Sequence, residues 1–273
     1  MKQYYYKGKI YEQEKALPLI PANRAFLYGD GFFETMKYVN GTIFNEHAHI
    51  SRIERSSVLL GEELAAHSLL EEIKRLLSNA FPEKDFRLRI TFFRTGGGRY
   101  KPDSEAVWDW LLSFEAMDNS AFTLNEKGLH IGKYDLQQKA TGKLANIKST
   151  SAQLYVQAAK FAQEQQWDDA LICNTKGNII EATASNIFAI KSGYLFTPAL
   201  SEGPVAGTMR AKLLQLAFEL GLTAASGPLE EDKLLDANEI FLSNAIMGIR
   251  WVEQYKGKTF QCKHAPKVLE LLT

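Results

Sequence analysis

Apolar positions change their period along the chain, and each change marks an element. "YYYKGKIY" reads as a β-hairpin turning at Lys7 and Gly8, and "FFETMKYVNGTIF" as a second one turning at Asn40-Gly41, the strongest short hairpin signal. The period then lengthens. "NEHAHISRIERSSVLLG" has a capping candidate in Asn45, an acid in its first turn at Glu46, helical spacing through Ile50, Ile53 and Val58, and a stop at Gly61. A second helix is expected over about 66–80, followed by the strands "DFRLRITFFR" and "VWDWLLSFEA". The order β, β, α, α, β, β predicts an α+β layer domain. "MDNSAFTLNEKG" reads as its connection to a second unit, which gives domains over 1–120 and 121–273.

The second half opens with the strand "LHIGKYD" and reaches a helix expected to begin just after Lys148. "DDALICNTKGNIIEATASNIFAIKSGYLFTP" follows as three or four short strands with turns at Lys176-Gly177 and Ser192-Gly193. A helix over about 206–220, a short one near 230–236, the strand "EIFLSNA" and the hairpin "VEQYKGKTF" complete a half rich in strands that close on themselves, a barrel-like α/β domain.

Composition narrows the partners. Lys and Arg number 32 and Asp and Glu 32, so no net field directs the chain to nucleic acid or to an anionic membrane surface. The opening "MKQYYYKGKIYEQEK" lacks an apolar core, and no stretch approaches the roughly 18 apolar residues of a membrane span, so a cytoplasmic protein is expected. Two cysteines, Cys173 and Cys262, fit a reducing compartment and read as packing residues. His47 and His49 stand two apart, off a common helix face and without a spaced third ligand, so no metal site is expected.

Four features carry possible chemistry. Lys148, in "ANIKSTSAQLYVQAAK", stands before a helix, where a cation is disfavoured by about 0.3 kcal/mol or more and an amine's pKa is lowered, as a Schiff-base nucleophile requires. The bland alternative is a solvated lysine. Glu181, in "GNIIEATASNIF", follows two β-branched apolar residues and precedes small ones, a setting in which a carboxylate needs a cationic or proton-bearing partner. An ordinary surface position on a strand competes with that reading.

"GPVAGTMRAKLL" brings Gly207 to the start of a helix whose first amides, at Thr208, Met209 and Arg210, form an anion site, to which Arg52 could add a guanidinium. "FFRTGGGRYKP" sets three glycines between Arg94 and Arg99, as expected of a loop whose main chain approaches something closely and whose arginines flank a carboxylate pocket; the alternative is a flexible turn. An amine nucleophile, a buried carboxylate for a ring nitrogen and a helix-terminal phosphate site are together what pyridoxal phosphate demands.

The motifs "YGDGFFETMKYVNG", "HISRI", "NIKS", "IIEATASNIF", "AGTMR" and "FLSNAIMGI", in this order, resemble the fold type IV pyridoxal-phosphate enzymes over essentially the whole chain. That family holds branched-chain and D-amino acid aminotransferases and 4-amino-4-deoxychorismate lyases. The resemblance implies that Lys148 bonds to the cofactor's aldehyde and shuttles the substrate proton, and that Glu181 keeps the pyridine nitrogen protonated. It further implies that Arg52 and the amides of Thr208 and Met209 hold the phosphate, with Asn244 and Ala245 closing the cup. A homodimer with the cofactor between a small N-terminal and a larger C-terminal domain is the implied assembly.

Within the family, "AGTMR" is similar to the G-I-M-R of the lyases, where transferases show G-I-T-R. "SNAIMGI" and "RTGGGRY" also look like lyase segments, and Phe33 replaces the tyrosine with which D-amino acid aminotransferases bind a substrate carboxylate. Glu34 stands where transferases carry glutamate and a lyase may show threonine, and "KSTS" lacks an asparagine often found three residues after the lysine. The expected ligand is a small amino or carboxylate substrate. A lyase is the first expectation, an aminotransferase of the same fold the second, and a non-catalytic binding protein on this scaffold the third.

Overall fold

The computed structural model describes residues 2–19 and 23–272. Contacts divide the chain into two compact units, Met1–Ser120 with Lys148–Ala152, and Ala121–Ile147 with Gln153–Thr273.

The first unit contains β1 (Lys2–Tyr6), β2 (Lys9–Tyr11), α1 (Arg24–Tyr28), β3 (Gly31–Val39), β4 (Thr42–Ile43), α2 (Glu46–Leu59), α3 (Ala66–Ala80), β5 (Phe86–Arg94) and β6 (Trp108–Ala116). Its strands form one antiparallel sheet in the order β2-β1-β6-β5-β3-β4. The turns at Lys7-Gly8 and Asn40-Gly41 have both residues at positive φ, the backbone of a tight two-residue hairpin. Side chains alternate across a strand, so in β3 Phe32, Glu34, Met36 and Tyr38 are buried while Phe33 and Thr35 face the less covered side. The expected cap Asn45 is left-handed, and its side chain makes no capping bond to α2.

The second unit contains β7 (Leu129–Lys139), α4 (Gln153–Glu164), β8 (Asp169–Asn174), β9 (Ile179–Ala182), β10 (Asn186–Lys191), β11 (Tyr194–Pro198), α5 (Thr208–Leu216), β12 (Thr223–Gly227), α6 (Glu231–Leu235), β13 (Glu239–Asn244), β14 (Gly248–Tyr255), β15 (Lys258–Thr259) and α7 (Ala265–Glu270). Six strands close on themselves in the order β10-β13-β14-β7-β8-β9, because β9 also pairs with β10 through Glu181 and Asn186. The α+β class and the barrel-like second domain expected from the sequence are both present. One face of the ring buries Ile131, Leu171, Ile187, Leu242 and Val252. The opposite face of β8 and β9 packs Ile172 and Ile180 against Ala158 and Ala162 of α4.

Candidate active site

Lys148 belongs by contact to the first unit. Its carbonyl accepts from the amide of Phe33 at 2.9 Å, and Ser149 bridges Phe32 across the edge of β3. Thr150 fixes the segment further, its hydroxyl within 3.0 Å of the Gly29 carbonyl and 2.9 Å of the Gly31 carbonyl. The Ser-Thr-Ser run therefore pairs with β3 and does not begin a helix. Helix α4 starts only at Gln153, five residues on, which corrects the expectation that a helix N-terminus tunes the amine, since that field fades within one turn.

The aromatic ring of Phe33 takes over the role of neighbour. Lys148 Nζ lies 4.6 Å from the ring centre and the guanidinium carbon of Arg89 3.7 Å from it. Arg89 is the functional candidate that sequence reading passed over. It faces the same side of the sheet as Phe33, and its guanidinium has no carboxylate within ion-pair distance among the described residues. Burial and then the charge of Arg87 lower its pKa, the signature of a cation without an anion. The strand pattern "RLRI" shows only that Arg89 alternates with the buried Leu88 and Ile90; its contact with Phe33 depends on the neighbouring strand.

On the buried face, Arg52 donates Nε to Glu34 at 3.0 Å and Nη2 to its other oxygen, while His49 Nδ1 lies 2.7 Å from the same carboxylate. Glu34 is 1% exposed. Burial pushes its carboxyl up, but the charges of Arg52 and then His49 outweigh burial and hold it down to about 2. The two-pronged pairing fixes the plane in which the rest of the guanidinium can donate.

Arg94 and Arg99 part company. Arg94 donates to the Leu60 carbonyl at 2.7 Å, stacks 4.6 Å from the Trp108 ring and pairs with Asp30 and Glu62 at 3.5 and 3.7 Å. Its charge is spent inside the unit, so it does not flank an open pocket with Arg99, whose side chain is exposed. The close approach expected of the three glycines is made to their own loop. A Cβ on Gly98, at φ +83, would sit 2.4 Å from the Lys101 carbonyl, and one on Gly96 2.6 Å from Ala106.

In the second unit, Glu181 is 2% exposed and accepts three bonds. Lys139 Nζ and the Tyr155 hydroxyl donate to Oε1, each at 2.7 Å, and the Val205 amide to Oε2 at 2.8 Å. The partner demanded of a carboxylate in this strand is thus present. Burial and then the Glu181 charge push the Tyr155 phenol far above its usual range, so it remains a donor. Asn186, opposite Glu181, bonds the Val205 carbonyl at 2.9 Å and packs so close to Gly207 that a Cβ there would meet its Oδ1 at 1.8 Å. Ser243, next in the same row, has a buried hydroxyl without a partner.

Helix α5 begins at Thr208 with Gly207 at its N-cap, so the amide ends expected at Thr208 and Met209 exist, both residues being buried. Arg210 turns back to the Pro198 carbonyl at 2.9 Å. Asn244 shapes the turn that carries Ala245: its Oδ1 accepts from the amides of Ile246 and Met247 at 3.0 and 2.8 Å, and its Nδ2 reaches Ser185 at 3.2 Å. Among the described residues no cluster of His, Cys, Asp or Glu could hold a metal ion, and no helix is long and apolar enough to cross a membrane.

Residues 31–255 match the family model described as amino-transferase class IV. The chain belongs to that family. It is 26% identical over 228 residues to the aminodeoxychorismate lyase of Vibrio harveyi, covering 83% of both chains. It is also 26% identical over 267 residues to a probable branched-chain-amino-acid aminotransferase of Synechocystis, covering 93% of this chain and 85% of that one. In structure it is similar to an aminotransferase from Brucella abortus bound to the co-factor PLP, with a TM-score of 0.85, 21% identity and coverage of 99% and 97%. The chain is a pyridoxal-phosphate-dependent enzyme of fold type IV.

The residues present fit the cofactor. A carboxylate offers about four acceptor sites. Glu181 has three filled, leaving one on Oε2 for a ring N–H. The start of α5 packs against Asn186, whose row neighbour Ser243 has a buried hydroxyl without a partner, and helix-end amides with a free hydroxyl are donors of the kind a phosphate accepts from.

Proposed function

We propose that the protein is a 4-amino-4-deoxychorismate lyase, which eliminates pyruvate from aminodeoxychorismate to leave 4-aminobenzoate, a folate precursor. The observation that carries the reading is that an amine, Lys148, and an arginine with no acidic partner among the described residues, Arg89, contact the ring of Phe33. That pairing suits a substrate that carries both an amine and a carboxylate.

Pyridoxal phosphate, when bound, supplies an aldehyde that bonds to an amine and a ring that takes up the electron pair of a broken C–H bond. Lys148 holds the cofactor and then, as a free amine, removes the proton from the substrate carbon bearing nitrogen. Glu181, fixed by Lys139, Tyr155 and the Val205 amide, holds the ring nitrogen's proton. Arg52, Thr208, Met209, Asn244 and Ala245 hold the phosphate. Arg89 and Arg99 take the substrate's two carboxylates, with Phe33 as the platform. The Lys148 ammonium then returns the proton it took to the departing enolpyruvyl group, which leaves as pyruvate as its C–O bond to the substrate breaks and the substrate's own ring becomes aromatic. A cytoplasmic homodimer is the assembly that this reading carries.

Met209 in the phosphate helix and the "SNAIMGI" and "RTGGGRY" segments support the lyase over a transferase. One observation favours the second reading, a branched-chain or D-amino acid aminotransferase: Glu34, the residue at the transferase-like position, is buried and paired with Arg52. A product assay separates them. The lyase yields 4-aminobenzoate and pyruvate from aminodeoxychorismate, whereas an oxo acid formed from D-alanine or a branched-chain amino acid with 2-oxoglutarate, and no 4-aminobenzoate, would establish the transferase.

A further inference from the structure

Arg24 is 2% exposed, yet it lies in the five-residue helix α1, whose next residues are largely open to solvent. Its guanidinium is enclosed by main-chain oxygens. Nη1 donates to the carbonyls of Gly97, Gly98 and Arg99 at 3.1, 3.4 and 2.7 Å, and Nη2 to that of Tyr100 at 3.2 Å. Nε is held at 2.8 Å by Asp30, whose carboxylate also lies 3.5 Å from Arg94 at the start of the same loop. Four consecutive carbonyls that converge on one cation are a costly arrangement, because their dipoles repel one another unless the charge is present. Gly96 and Gly98 in this loop both have positive φ, a backbone conformation that a side chain would strain.

We propose that Arg24 is the positioning residue of the glycine-rich loop: it templates residues 97–100 so that the Arg99 side chain is presented at a fixed point to a substrate carboxylate. The inference rests on the reading of Arg99 above. The guanidinium bonds the carbonyl of Arg99 itself, so the backbone that aims the side chain is tied directly. A lysine cannot replace it, since one ammonium donates from a single point and cannot span four carbonyls and Asp30.

The test compares Arg24→Ala, Arg24→Lys and Arg99→Ala holoenzymes in the product assay, with limited trypsin digestion read at the Arg99–Tyr100 bond. Arg24→Ala is expected to raise KM about as much as Arg99→Ala, roughly tenfold or more, with kcat less affected, and to speed cleavage after Arg99 by about tenfold or more. Low-millimolar guanidinium should restore both in Arg24→Ala by refilling the cage, and leave Arg99→Ala unchanged. Should Arg24→Ala fail to fold, Arg24→Lys gives the same two readings. Unchanged cleavage and KM in the Arg24 variants, beside a raised KM in Arg99→Ala, would overturn the inference alone. An unchanged KM in an active Arg99→Ala overturns the reading of Arg99, and the inference with it.

Discussion

The guanidinium carbon of Arg89 lies 3.7 Å from the centre of the Phe33 ring, and the amine of Lys148 reaches the same ring from the edge of the sheet. Two cations contact one aromatic ring, and among the described residues no carboxylate pairs with Arg89, so its charge is open to an anionic substrate group.

Replacing Arg89 by methionine keeps the packing on Phe33 and removes the charge. A charge-assisted bond contributes about 1.5–3 kcal/mol, so KM for the carboxylate substrate should rise by roughly 10- to 100-fold with cofactor retained. Steady-state kinetics and the cofactor's absorbance check both halves; an unchanged KM removes Arg89 from the site.

Glu34 gives a stability prediction with a definite sign. Its carboxyl is held near 2 against an ordinary 4.5, so its ionised form stabilises the fold above about 4.5, and that contribution drains away as pH falls towards 2. Glu34→Gln leaves Arg52 and His49 without their anion inside the protein and should cost about 3–5 kcal/mol at pH 7. Urea unfolding of both proteins at pH 7 and pH 3 should show the gap narrowing at the lower pH. A constant gap would mean that the pair is not the source.

Much of this was legible in the chain because hairpin turns and helix periods are local. Asn40-Gly41, Ser192-Gly193 and the span of α3 need only neighbouring residues to specify them. What escaped depends on distant partners. The α1 helix is five residues long, too short for a period, and is fixed by Arg24 reaching residues some seventy positions away. The strand β12, "TAASG", has no apolar alternation and forms only by lying parallel to β11. Lys148 stands out from its sequence neighbours, but its setting does not: "KSTS" looks like a helix start, and only the carbonyls of Gly29 and Gly31 show that Thr150 is held at the start of β3. Glu181 stands out in the sequence as a carboxylate needing a partner, while its partners Lys139 and Tyr155, 42 and 26 residues away, leave no local sign.

Tyr155→Phe removes one donor from Glu181 and leaves the other two. The carboxylate then holds a ring proton more strongly, and the bound cofactor's absorbance should shift while folding stability drops by about 1 kcal/mol. A spectrum identical to that of the parent protein would mean that Tyr155 acts on Glu181 only as packing.

Gly207→Ala tests the entry to α5. Its Cβ would fall 1.8 Å from Asn186 Oδ1, so Asn186 must move, and the 205–208 segment with it. Overpacking of this kind costs about 1–3 kcal/mol. Because the strain falls on the helix end proposed to hold the phosphate, cofactor affinity measured by equilibrium dialysis should fall about tenfold or more. Inorganic phosphate should compete less well with cofactor in the variant than in the parent.

The amine of Lys148 is the one group without which the proposed chemistry fails. Reduction of the cofactor-loaded protein with borohydride, followed by digestion and mass spectrometry, should place a single pyridoxyl label on Lys148, and Lys148→Ala should take up none. A label on any other lysine, or none at all, would contradict it.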